Sequence, residues 1–252
     1  MNTLSIETRK NYQIVQLDRG KANPMNHEMI RELRQVLQEV QASDQMGGII
    51  LTGKPGYFTA GLDVKEMYDF DEAGIRAFFQ DFRGLIRDLV EFDKPLIAAI
   101  TGQSPAGGCI LAICSDYRVM AAGNYRIGLN EIPVGLILPE YVFELYSFWL
   151  GRRKAYHFLM EGKLHTPDDA LEAGLLDEVV PLEEVLTRAE KRIKKYLQFN
   201  PKVWQISKRN LRTQVRESVY RDSDEVMEAT LKQWWSEEGR ALLGMFVASL
   251  KK

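Results

Sequence analysis

An α/β fold with parallel strand pairing is the class this sequence predicts. Two short apolar runs, Gly48-Ile-Ile-Leu-Thr52 and Leu96-Ile-Ala-Ala-Ile100, read as buried strands. Helical patterns separate them, and a glycine-bearing loop follows each one. This alternation of strand and helix favours α/β organisation over an all-helical or sandwich fold.

The elements follow in order. Leu4 to Arg9 and Gln13 to Leu17 alternate apolar and polar residues around Lys10-Asn11, the pattern of a β-hairpin. Asn26 can cap a helix in which Met29, Leu33, Val36, Leu37 and Val40 recur at helical spacing. After the strand at 48–52, residues 71–92 form a long amphipathic helix leading to the strand at 96–100. Gly102 to Ala112 is a turn that opens a short helix, and short strands follow near Tyr117 to Met120 and Tyr125 to Gly128. From Pro139 the chain is expected to be helical nearly to its end. Thr166-Pro167-Asp168-Asp169 supplies a helix start with an N-cap, a proline at N1 and acids in the first turn. The text beyond about residue 182 is all-helical, which divides the chain into a core at 1–181 and a helical region at 182–252. No internal repeat or low-complexity segment is visible. In the last helix, Met227, Leu231, Trp234 and Trp235 make an apolar stripe expected to pack on the chain's own core or on a neighbouring subunit.

A length of 252 residues suits one large domain, or one domain with an appendage, and 45% hydrophobic with 27% charged residues is ordinary for a globular protein. The net charge of -2 argues against nucleic acid or an acidic membrane as partner. No apolar run approaches the roughly 20 residues of a membrane span, and the first ten residues show no targeting leader. Cys109 and Cys114 fall on different faces of a helix, so a disulfide is not expected and a reducing, cytoplasmic compartment fits. His27, His157 and His165 lack metal-ligand spacing and are expected on the surface or on helix faces. No metal site is expected.

Two loops, Tyr57-Phe-Thr-Ala-Gly-Leu-Asp63 and Ser104-Pro-Ala-Gly-Gly108, follow buried strands, where open α/β sheets bind ligands. Gly107 and Gly108 also begin a helix, so free amides and the positive dipole end face outward. Two such amides from separate loops can stabilise one carbonyl oxygen on which negative charge develops. Further on, Ile127-Gly-Leu-Asn-Glu-Ile-Pro-Val-Gly-Leu136 places the lone acid Glu131 among apolar neighbours. Desolvation there should raise its pKa and make it a better base.

Together these segments resemble the crotonase, or enoyl-CoA hydratase/isomerase, superfamily. The resemblance runs through Arg19 to Asn26, Phe58 to Met67, Lys94 to Gly102, Pro105 to Cys109, Ser115 to Arg118 and Ala170 to Pro181. It implies a spiral of ββα units with a helical C-terminal region that assembles trimers or hexamers. It also implies an acyl-CoA substrate whose thioester oxygen sits between the amides of Ala60 and Gly107. Gly61, Leu62, Asp63 and Val64 would line the pantetheine and adenine side, and Asn130 would contact substrate. Coenzyme A would enter as part of the substrate, with no separate cofactor. A family lysine that binds the CoA phosphate is replaced near Ser249, leaving Lys251 and Lys252 as substitutes.

Hydratases of this family use two glutamates. The first position here is Ile110, which cannot activate water; the second is Glu131. A single carboxylate can still move a proton from C2 to C4 of a 3-enoyl thioester. The local text around Gly128-Leu-Asn-Glu131 is similar to the Δ3,Δ2-enoyl-CoA isomerases, with a hydratase or other enolate enzyme as the alternative. Asp63 could equally cap or brace its loop, Glu140 could serve a helix dipole or intrude into the acyl pocket, and Glu131 could pair with Arg126. A non-catalytic CoA- or RNA-binding module would draw on Lys191-Arg192, Lys194-Lys195 and Lys208-Arg209 with Arg212. Acids flank these clusters, so solvated helix faces account for them better.

Overall fold

The computed structural model describes residues 1–221 and 224–249. The hairpin forms as expected: β1 (Leu4–Thr8) and β2 (Gln13–Leu17) pair antiparallel. Asn26 caps α1 (His27–Ala42), accepting from the Met29 amide at 3.0 Å. Then come β3 (Ile49–Thr52), the short β4 (Gly56–Tyr57), α2 (Val64–Tyr68) and α3 (Glu72–Glu91). The next unit is β5 (Leu96–Ile100), β6 (Gly102–Pro105) and α4 (Gly107–Cys114); a third runs β7 (Tyr117–Ala121), β8 (Ile127–Gly128) and α5 (Glu140–Leu150).

Each unit thus places one long strand in a first sheet, one short strand in a second, and then returns through helix. The six-stranded sheet has the order β1-β2-β3-β5-β7 and then β10 (Glu178–Val180). The four-stranded sheet runs β4-β6-β8 and then β9 (Leu164–His165). All neighbours pair parallel except β1 with β2 and β8 with β9. This is the crotonase-type ββα spiral. The repeat lies in backbone connectivity, not in side-chain identity, so the sequence does not display it.

The stretch after Pro139 is not wholly helical. Between α6 (Arg152–Glu161), α7 (Pro167–Ala173) and α8 (Val185–Tyr196), the chain inserts β9 and β10, each completing a sheet edge. Both strands are too short to show a pattern, and pairing supplies their stability. α9 (Pro201–Leu211), α10 (Thr213–Arg221), α11 (Asp224–Trp235) and α12 (Glu237–Ser249) follow. The expected last helix is therefore the penultimate one. Its Leu231 and Trp234 are buried in the core, while Trp235 is partly exposed.

The large sheet is covered on both faces, so its central strands are apolar throughout. Leu51, Leu96, Ala98 and Ile100 face the main core beneath α1, α3 and α4. Ile50, Ile97, Ala99 and Val119 face the other way, against Val185, Ala189 and Ile193 of α8.

A buried charge cluster ties the C-terminal helices to this core. Lys208 Nζ donates to Asp116 Oδ2 at 2.7 Å and to Lys94 O at 2.8 Å. Arg212 pairs with Asp116 at 3.2 Å and donates to the carbonyls of Cys114 and Ser115. Burial brings the Lys208 pKa down to about 8. The basic residues in and just after α9 are therefore not all solvated, because Lys208 and Arg212 are interior; Lys191, Lys194 and Lys195 are exposed. Removing one partner of a buried ion pair leaves an uncompensated charge. Asp116→Ala should lower stability by about 3–5 kcal/mol, read as a reduced midpoint in urea unfolding.

Candidate active site

The two glycine loops meet. Residues 22–25 fasten the first: Ala60 N donates to Ala22 O at 2.9 Å, Met25 N to Gly61 O at 2.8 Å, and Asp63 N to Met25 O at 2.9 Å. Inside the loop, Thr59 Oγ1 donates to Asn23 O and accepts from Gly61 N. Gly61 has φ +90°, where a side chain would be strained, and a Cβ there would sit 3.2 Å from Pro105 O and 3.5 Å from Gly107 N. A Cβ on Gly107 would lie 3.5 Å from Leu62 N and 2.4 Å from Met25 Cε. Glycine at both positions lets the loops touch.

The second loop stores strain. Ala106 has φ +48° and ψ -118°, an arrangement that costs a non-glycine residue of order 1–3 kcal/mol. Its amide donates to Gly128 O at 2.8 Å, where β6 lies beside β8, and so fixes the entry to α4. At the other end of α4, Arg212 and Arg118 donate to the Ser115 carbonyl. Arg118 is buried, ion-paired with Asp177 at 2.6 Å, and lies 3.6 Å over the Trp149 ring.

The expected donor pair, Ala60 with Gly107, needs correction. The Ala60 amide is already bound to Ala22 O. The bridge between Met25 and Leu62 uses Gly61 O and Asp63 N, so the Leu62 amide points away from it. Among the described residues, Leu62 N and Gly107 N have no acceptor, and both residues line the cavity where the two loops touch. Ala60 still lines the cavity, as do Leu62, Val64, Gly107 and Asn130. Gly61 and Asp63 do not. Asp63 braces the loop instead, accepting from Glu66 N at 3.0 Å to cap α2 and from Arg19 Nη1 at 2.6 Å.

Glu131 reaches the same cavity from the loop after β8. It is 8% exposed, and its Oε2 has no hydrogen-bond partner. Arg126 does not pair with it; that guanidinium donates to Tyr125 O and Asn124 Oδ1. Burial pushes the Glu131 carboxyl up to about 7, although main-chain amides of Glu131 and Asn130 oppose the shift. Ile110, also buried, lines the cavity where a second acid would stand. Glu140 is exposed and paired with Arg221 at 3.2 Å, outside this cavity.

Beyond these groups the cavity, about 520 Å³, is walled mostly by apolar side chains that sequence reasoning did not select, with Arg83 and Thr230 also in the lining. Phe79 and Phe82 come from α3, Tyr141 and Val142 from α5, Val226 and Met227 from α11, and Phe246 from α12. Met227, expected only to pack, is a wall residue. Amphipathic spacing marks such positions as inward-facing but does not separate core from cavity.

His165 departs from expectation. It is 1% exposed, and neither ring nitrogen has a partner among the described residues; desolvation lowers its pKa to about 4. Cys109 and Cys114 are buried free thiols, and burial pushes Cys109 well above the usual thiol range. Ser249 donates to Phe246 O, while Lys251 and Lys252 lie outside the described residues.

The fold and the paired loops define a crotonase-type thioester site. Residues 7–245 match the enoyl-CoA hydratase/isomerase family, and the chain belongs to it. The mouse mitochondrial enoyl-CoA delta isomerase 1 is 34% identical over 84% of this chain and 74% of its own length. A probable enoyl-CoA hydratase of Rhizobium meliloti is 32% identical over 75% and 74%. The human mitochondrial Δ3,Δ2-enoyl-CoA isomerase structure aligns with a TM-score of 0.95 at 28% identity, covering 99% of this chain and 98% of that one. The chain is accordingly an enzyme of the enoyl-CoA isomerase/hydratase type.

Glu131 should register in stability as well as in activity. Its folded-state pKa lies above the unfolded value, so ionising it opposes folding increasingly from about pH 4.5 through 7. Glu131→Gln removes that charge. Its melting temperature should exceed the parent's at pH 8, by an amount worth roughly 1–3 kcal/mol, and the gap should close by pH 4.5.

Proposed function

We propose that the chain is an enoyl-CoA isomerase that shifts the double bond of a 3-enoyl-CoA to the 2-position, with Glu131 as the sole acid/base. The observation that carries this is the solitary buried carboxyl of Glu131, its Oε2 unpartnered, in a cavity where the apolar Ile110 replaces the second acid. Ionised, Glu131 removes the pro-shift proton from C2, and the electrons pass through the thioester carbonyl to give a dienolate. The amides of Leu62 and Gly107 donate to its oxygen. Protonated Glu131 then returns the proton at C4, the carbonyl re-forms, and the double bond ends in conjugation. Asn130, half-buried at the cavity wall, contacts the thioester, and Val64 lines the coenzyme A side. Protons and electrons balance without water, metal or cofactor; coenzyme A arrives with the substrate.

Homotrimers or hexamers are supported by the exposed apolar residues Phe199, Val203 and Ile206, which share one side of the α9 region. Buried free thiols support a reducing compartment, proposed as the cytoplasm, although similar relatives are named mitochondrial. Among the described residues no helix is long and apolar enough to cross a membrane, and nucleic acid is not a proposed partner.

Separate incubations with 3-hexenoyl-CoA and 2-hexenoyl-CoA test the reaction. Isomerisation of the first and little hydration of the second are expected, and Glu131→Gln should abolish turnover. Efficient hydration of the 2-enoyl thioester would sink the single-acid mechanism. For the parent, kcat/KM should rise with pH to a plateau, with a midpoint near 7, because the base must be ionised. Gly107→Ala places a methyl group between the two donor amides. It should reduce kcat by about 10²–10³, with far-ultraviolet circular dichroism unchanged.

A further inference from the structure

Two buried polar atoms of this region have complementary needs. Among the described residues, Glu131 Oε2 is an acceptor without a partner, and the Tyr146 hydroxyl is a donor without one. Tyr146 is 0% exposed and stands on α5 one helical turn beyond Val142, which lines the cavity. It shares one core cluster with Cys109, Ile110 and Leu129, and its hydroxyl interacts electrostatically with Cys109 and Glu131. A phenol in a dry interior costs stability unless its O–H finds an acceptor. A phenylalanine would fill the same space without that cost.

The neighbouring groups meet neither need. Main-chain amides of Asn130 and Glu131 favour the charged carboxyl from its own loop, yet Oε2 is left over. Cys109, from α4, is engaged with the Gly128 main chain, and burial holds its thiol well above the usual range. It therefore stays protonated, and a thiol is the weaker donor. Burial pushes the Tyr146 phenol up as well, so it keeps its proton and remains a donor. Among the described residues, the other charged group in the cavity lining is Arg83, on α3.

We propose that Tyr146 is a positioning residue for the base: its O–H donates to Glu131 Oε2, directly or across one water, when the carboxyl is ionised. This role rests on the proton-transfer function proposed above and adds a residue to it. A hydrogen bond made to the charged form lowers the cost of holding that charge and fixes the carboxylate's orientation. A carboxylate oxygen has more than one acceptor site, so Oε2 can hold the phenol and still meet the C2 proton. Desolvation makes Glu131 more basic, and the phenol limits the rise, so the base is ionised near neutral pH. Tyr146 keeps its own proton throughout, and only hydrogen bonds change.

The test is Tyr146→Phe, which deletes one oxygen and keeps the ring. On 3-hexenoyl-CoA the midpoint of the kcat/KM profile should rise from about 7 in the parent to about 8, because the charged carboxyl has lost a donor. A midpoint that stays or falls overturns the proposal. Melting temperature reads the same change without turnover. Each protein is compared with its own Glu131→Gln counterpart, and the gap should level off near pH 7 for the parent and near about 8 for the variant. Gaps that level off at the same pH leave Tyr146 a packing role only and overturn the proposal. Where Tyr146→Phe does not fold, nuclear magnetic resonance of the parent with Cζ-labelled tyrosine decides. One tyrosine signal should follow the Glu131 titration and stop doing so in Glu131→Gln. It should persist in Tyr57→Phe and Tyr141→Phe, which remove the tyrosines that line the cavity. Absence of such a signal overturns the pairing. If no enoyl thioester is turned over, the functional reading fails separately, and the melting and resonance measurements still decide whether Tyr146 serves Glu131.

Discussion

Everything in this site turns on a buried carboxyl group, one of whose oxygens, Oε2, has no hydrogen-bond partner among the described residues. Burial of Glu131 is unfavourable to its charged form, and the pKa near 7 expresses that penalty directly. A surface glutamate would be a weak base, and one paired with an arginine would be weaker. No described group pairs with Oε2, and in the proposed mechanism that keeps its basicity for a carbon acid. In the same proposal the carbon acid is made reachable by the opposite arrangement in the same cavity, where the amides of Leu62 and Gly107, without an acceptor among the described residues, meet developing negative charge.

Those amides are held open by the way three separated segments interlock. The strand-like stretch at 22–25 takes the hydrogen bonds of Ala60, Gly61 and Asp63 and leaves Leu62 unclaimed. Ala106, forced to positive φ, starts α4 so that Gly107 faces the same space. At the far end of α4 the cations Arg118 and Arg212 meet its last carbonyls, and Asp116 links Arg212 to Lys208. The same buried cluster that attaches the C-terminal helices therefore also secures the helix that begins at Gly107. Helices α11 and α12 add apolar wall residues to the cavity, so the C-terminal region completes the site and does not merely decorate the core.

In the reading proposed above, selectivity between reactions follows from one side chain. Ile110 occupies a position from which a carboxylate could orient water, and a branched hydrocarbon there favours an intramolecular proton transfer over addition. The loop from Leu136 to Pro139 is held at the Glu131 carbonyl and ends at the start of α5, so the buried carboxyl and this part of the cavity wall belong to one continuous segment.

The sequence by itself determined a good deal. The apolar runs at 48–52 and 96–100, the caps at Asn26 and Thr166, the glycine loops and the solitary Glu131 beside an apolar position 110 are local facts. Local chemistry was enough to read them. Tertiary structure alone decided which amides are free, because Ala60 and Leu62 differ only in what lies opposite them, and Ala22 and Met25 are about forty residues away. It also decided that Lys208 and Arg212 are interior, that His165 is buried, and that Met227, packed against the core, also lines a cavity. Strands as short as β9 and β10 exist only through their neighbours. In each case the deciding quantity was a hydrogen bond or a burial shared between residues far apart in the chain, which no window of sequence contains.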